Sequence, residues 1–74
     1  MDEIRLKERL IAENADFRKL FEEHQLHESK LASFAAKPFL TPAEEFEERD
    51  LKKRKLALKD RMYVMMRDFQ KTFP

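Results

Sequence analysis

Glycine is absent from this chain, and its two interior prolines, Pro38 and Pro42, stand only four residues apart. Tight β-hairpin turns and phosphate-cradling loops rely on backbone conformations that glycine adopts readily, so neither is expected here. What remains is a chain able to be helical on both sides of one interruption, "KPFLT" at 37–41. The segment "TPAE" at 41–44 predicts the restart. Thr41 can cap, Pro42 suits the first helical position because its φ is already helical, and Glu44 completes a capping box. Glu44, Glu45, Glu47 and Glu48 then lie near the positive end of the helix dipole. The expected helix runs from about 42 to 71, with Pro74 closing the chain.

Upstream, "NADF" at 14–17 offers Asn14 as a second cap, with Asp16 in the first turn. A helix from about 15 to 36 is expected to follow, preceded by a short amphipathic arm over about 2 to 12. The sequence leaves open whether Asn14 breaks the helix or bends it.

Two series step by fours and threes. One is Leu6, Leu10, Glu13, Phe17, Leu20, His24, His27, Leu31 and Phe34; the other is Leu51, Lys55, Leu58, Met62, Met65 and Phe69. Each is a heptad seam, the pattern of helices packed side by side at a shallow angle. A five-residue link between two long helices makes them antiparallel neighbours, so the expected fold is all-α. It is an antiparallel two-helix hairpin with an N-terminal helical arm, occupying residues 1–74 as one domain. With the turn near Phe39, the seams place His27 by Leu51, His24 by Arg54 and Lys55, Leu20 by Leu58, Phe17 by Met62, and Phe34 by Glu44. The second helix overhangs the first by roughly 10 Å, and Leu6 and Leu10 are expected to cover Met65 and Phe69 there.

A chain of 74 residues without cysteine has no disulfide or thiolate zinc site to supplement a thin core. Self-association is the remaining supplement. Phe21, Leu56, Tyr63 and Met66 fall just outside the seams and are the candidates for a second interface. Two hairpins are expected to pack as a four-helix bundle or an elongated antiparallel coiled coil, a homodimer or higher homo-oligomer that can also receive another protein. No apolar run approaches the roughly 20 residues needed to span a bilayer. With no signal-like N-terminus either, a cytosolic setting is expected.

"LKKRKLALKDRM" at 51–62 gathers Lys52, Lys53, Arg54, Lys55, Lys59 and Arg61. Such a face can contact phosphates, and a small nucleic-acid-associated protein is the alternative function. Against it, the run lacks interleaved aromatics and the net charge is only +1. Glu22, Glu23 and Glu28 are also expected to face residues 50–56 and neutralise them. His24 and His27, three apart with Glu23 and Glu28 nearby, raise the question of metal. The Glu-x-x-His spacing of carboxylate-bridged bundle sites is missing, so the histidines are read as polar groups in the seam and no cofactor is expected. No Ser-His-Asp set, cysteine or glycine elbow points to catalysis. The function expected is therefore a non-catalytic interaction or structural module.

"FRKLFEEHQ" at 17–25, "LTPAEE" at 40–45 and "LKKRKLALKDRM" at 51–62, in that order, resemble the YdcH-like family of short bacterial proteins with a domain of unknown function. The resemblance covers almost the whole chain. It implies a self-associating α-helical hairpin and no enzymatic activity. His24 matches the family's histidine, and Lys52, Lys53, Lys55, Lys59 and Asp60 match its basic signature. His27 departs from the apolar residue common at that position.

Overall fold

Each helix begins on a side chain that accepts a hydrogen bond from the backbone three residues on. Asp2 accepts from the Arg5 N–H at 2.9 Å, and Asn14 from the Phe17 N–H at 3.0 Å. At Thr41 the bond is reciprocal: its hydroxyl accepts from the Glu44 N–H at 3.2 Å, while the Glu44 carboxylate accepts from the Thr41 N–H at 3.1 Å. These caps satisfy N–H groups that the first turn leaves without helical partners. The helices they open are α1, Glu3–Glu13, α2, Ala15–Ala35, and α3, Pro42–Gln70. The computed structural model describes residues 2–72, and no strand occurs among them. The C-terminal ends of all three helices differ by one residue from their expected bounds, and Pro74 lies outside the described residues.

Asn14 breaks the helix. Its backbone is extended, at φ −120° and ψ 111°. Its N–H still closes α1 on the Leu10 carbonyl at 2.8 Å. The last turn of α1 contains no basic residue. Arg18 of α2 serves that end from outside, donating from Nε to the Ile11 carbonyl at 2.8 Å and from Nη2 to the Ala12 carbonyl at 3.0 Å. One residue thus ends one helix and starts the next, and α1 turns back over the other two.

That return builds the core. Leu6, Leu10, Phe17, Met62 and Met66 form one buried cluster, with Ile11, Leu20, Phe21, Met65 and Phe69 packed around it. Burying each such Leu, Phe or Met side chain is worth about 1.5–3 kcal/mol. Phe34, Leu51 and Leu58 are buried separately, nearer the α2–α3 connection. Met66 corrects the sequence reading: expected outside the seam, it is buried within the cluster. The reason is α1. A third helix widens the apolar stripe of α3 beyond a two-helix seam, and position 66 is one turn from Met62. Phe21, also expected off the seam, is half-buried against the same cluster.

Cross-helix ion pairs connect α2 and its exit to α3: Lys37 with Glu44, Lys30 with Glu47 and Glu28 with Lys55. Lys37 also stands 5.5 Å from the Phe34 ring centroid, within cation–π range. The described molecule is long and narrow, 50 × 19 × 17 Å. None of its helices is long and apolar enough to cross a membrane.

Candidate functional site

Three residues along α2 amount to most of a helical turn, so His24 and His27 share the side of α2 that meets its neighbours. Both are half-buried. The Nε2 atom of each is closed off from solvent and has no hydrogen-bond partner among the described residues. His27 Nε2 is 3.8 Å from a Glu23 carboxylate oxygen, too far for a hydrogen bond. A buried polar atom left without a partner costs about 1–3 kcal/mol. The two rings are therefore a destabilising polar layer within a mainly apolar seam, level with the half-buried Lys55.

Charges from all three helices bear on His24. Burial, the largest effect, lowers its pKa below 6.5, and Lys55 and Lys59 of α3 and Lys7 of α1 act in the same direction. Glu28 of α2 opposes them. Glu28 is itself held below the usual carboxylate range, first by the hydrogen bond from Lys55, whose Nζ lies 3.2 Å away. Beside this layer runs a groove of about 250 Å³ whose lining includes Lys7, Phe21, His24, Glu28, Lys59 and Tyr63. His27 does not line it. Among the described residues, no three His, Asp or Glu side chains form a group able to hold a metal ion.

Of the remaining seam residues, Phe17, Leu51, Leu58 and Met62 are buried, and Leu20, Leu31, Met65 and Phe69 are half-buried. The expected acidic partners of the basic run need correction. Lys52 pairs with Glu48 at 3.5 Å and Arg54 with Asp50 at 3.0 Å, both four residues back on the same helix. Only Lys55 reaches across, to Glu28. Glu22 makes no ion pair with a described residue, and Glu23 approaches His27 instead. Partners one turn away on the same helix are always within reach, whereas a cross-helix pair needs both side chains at the interface. Lys53, Lys59 and Arg61 are exposed and make no ion pair with any described residue.

Leu56 and Tyr63 remain 60% and 66% exposed. Five further exposed apolar residues among those described were not anticipated from the sequence: Ile4, Leu26, Phe39, Phe46 and Val64. Each lies off the heptad series, which is the signal that marks it in the sequence.

The sequence pattern of the family described as protein of unknown function, DUF465, matches residues 17–66, which takes in most of α2 and α3 and none of α1. No curated protein and no solved structure matches the chain significantly. Because the matched segment is well over half of the chain, the protein belongs to the DUF465 family.

Proposed function

We propose that this protein is a non-catalytic, self-associating interaction or structural module. Its unit is an antiparallel hairpin of α2 and α3, and two units pack as a four-helix bundle. The pairs Lys37–Glu44, Lys30–Glu47 and Glu28–Lys55 support the hairpin, because their separation along the chain widens away from the connecting loop. The observation that carries self-association is the pair Leu56 and Tyr63 on α3. They are seven residues apart, two helical turns, so they lie on one side of α3, with the charged Lys59 and Asp60 between them. Leu26 on α2 is 69% exposed as well, so a chain with eight buried apolar side chains among its described residues leaves several large ones in solvent. The YdcH-like resemblance agrees with this reading, which needs no cofactor.

Thermal melts at several protein concentrations test it. A self-associating fold gains stability by mass action, so the melting temperature should rise with concentration. Leu56→Glu with Tyr63→Glu should abolish that rise while leaving the chain helical. A melting temperature independent of concentration in the unmodified chain overturns the reading. A second reading, nucleic-acid binding, rests on Lys53, Lys59 and Arg61, which are exposed and pair with no described residue. It requires a gel shift with RNA or DNA that weakens steeply with salt.

A further inference from the structure

We propose that α1 is an exchangeable arm. It straightens at Asn14 into one helix with α2 and places Leu6 and Leu10 in the α2–α3 cleft of a second copy, which returns its own arm. This rests on the self-association proposed above and names the element that passes between the copies.

Three observations lead here. The first is phase. Leu6, Leu10, Glu13, Phe17, Leu20 and His24 keep their steps of four and three straight through Asn14, although the backbone breaks there. A chain that only ever turned a corner at Asn14 has no need to hold one heptad phase on both sides of it.

The second is the corner itself. Straightening gives up the Asn14 side-chain bond to the Phe17 N–H and the Arg18 bonds to the Ile11 and Ala12 carbonyls. In one continuous helix, the N–H groups of Ala15, Asp16 and Phe17 reach the carbonyls of Ile11, Ala12 and Glu13. Three hydrogen bonds replace three. The bonds from Asn14 N–H to Leu10 and from Arg18 N–H to Asn14 already have helical spacing and are kept. Asn is only modestly disfavoured inside a helix.

The third is what straightening uncovers. Leu6 and Leu10 leave the cleft, and Phe17, Met62 and Met66 lose their cover. Phe17 and Met62 share one cluster, so seven residues further out Leu10 would lie level with Phe69 and Leu6 would pass the end of α3 at Gln70. A single chain cannot cover both sets of side chains once straight. Two copies exchanging arms cover both at once, through one two-fold contact. The arm lies outside the segment 17–66 shared with the family, and the cleft lies within it.

The test uses introduced thiols, which stand alone because the chain has no cysteine. Glu3 of the arm and Gln70 of α3 line one groove together with Leu6 and Met66. Glu3→Cys chains are mixed with Gln70→Cys chains of different mass, warmed to allow exchange, and treated with a short bis-maleimide. A covalent heterodimer is expected. Ala15→Pro supplies the control. Proline suits the first position of α2, and the residue before it prefers the extended backbone that Asn14 has, whereas a continuous helix cannot accept it. In the Ala15→Pro background the heterodimer should fall at least tenfold while circular dichroism shows helix retained. If sedimentation finds a dimer but no heterodimer is trapped, exchange is wrong and self-association stands. If the heterodimer persists unchanged in Ala15→Pro, the arm does not straighten and the proposal is overturned. A monomer at every concentration removes both proposals.

Discussion

Replacing Leu10 by Ala would remove the centre of the cluster that α1 completes. Leu10 is 1% exposed and packs in one cluster with Leu6, Phe17, Met62 and Met66. Deleting a Leu side chain from such a site loses its transfer free energy and leaves a cavity, together about 2–5 kcal/mol. A chain of 74 residues has about 4–11 kcal/mol in total, at roughly 0.05–0.15 kcal/mol per residue. Leu10→Ala should therefore remove between about a fifth and all of the stability. Urea denaturation followed by circular dichroism would read this as a lower midpoint at unchanged slope. The matched control is Leu26→Ala, at 69% exposure, which should stay within about 0.5 kcal/mol. The closed and arm-exchanged forms both bury Leu10, so the result is independent of exchange. Equal, small shifts for the two variants would refute the placement of α1 in the core.

Further outcomes follow from the caps and the histidine layer. Thr41→Ala breaks the capping box of α3 and should cost about 0.5–2 kcal/mol in the same denaturation assay. His24→Leu with His27→Leu removes two buried Nε2 atoms that lack partners. It should raise the melting temperature and loosen the choice of assembly, seen as mixed species in native mass spectrometry. The His24 pKa is lowered on folding, so the unfolded chain takes up its proton more readily. Stability from this group is therefore full above the unfolded value of about 6.5 and lost as pH falls through the folded value. Melts between about pH 5 and 8, with an NMR titration of His24, should show that sign, and a rise in stability on acidification would contradict it.

The fold was most legible where one residue decides one local event. Thr41, Pro42 and Glu44 mark the start of α3, and their bonds are those the residue types predict. Asn14 was legible as a cap but not as a corner, because Asn closes an α1 turn as readily as it opens α2. What decided it was Arg18, whose reach to the Ile11 and Ala12 carbonyls has no periodic signature. Met66 was misplaced for a related reason: heptad counting describes two helices, and its burial depends on a third folding back. Within the candidate site, the cross-helix partner Glu28 could be anticipated for the basic run, but the preference of Lys52 and Arg54 for Glu48 and Asp50 follows from same-helix spacing. The half-burial of both histidines was implied by their seam positions. That their Nε2 atoms have no partner depends on side-chain geometry, which spacing does not carry.

Self-association is the claim on which the functional reading and the arm exchange both depend, and sedimentation equilibrium of the unmodified chain tests it most directly. Measured across the micromolar range, the apparent mass should exceed the 9.0 kDa of one chain and settle at twice that value or a higher multiple as concentration rises. A folded, helical species holding at 9.0 kDa throughout would contradict the account.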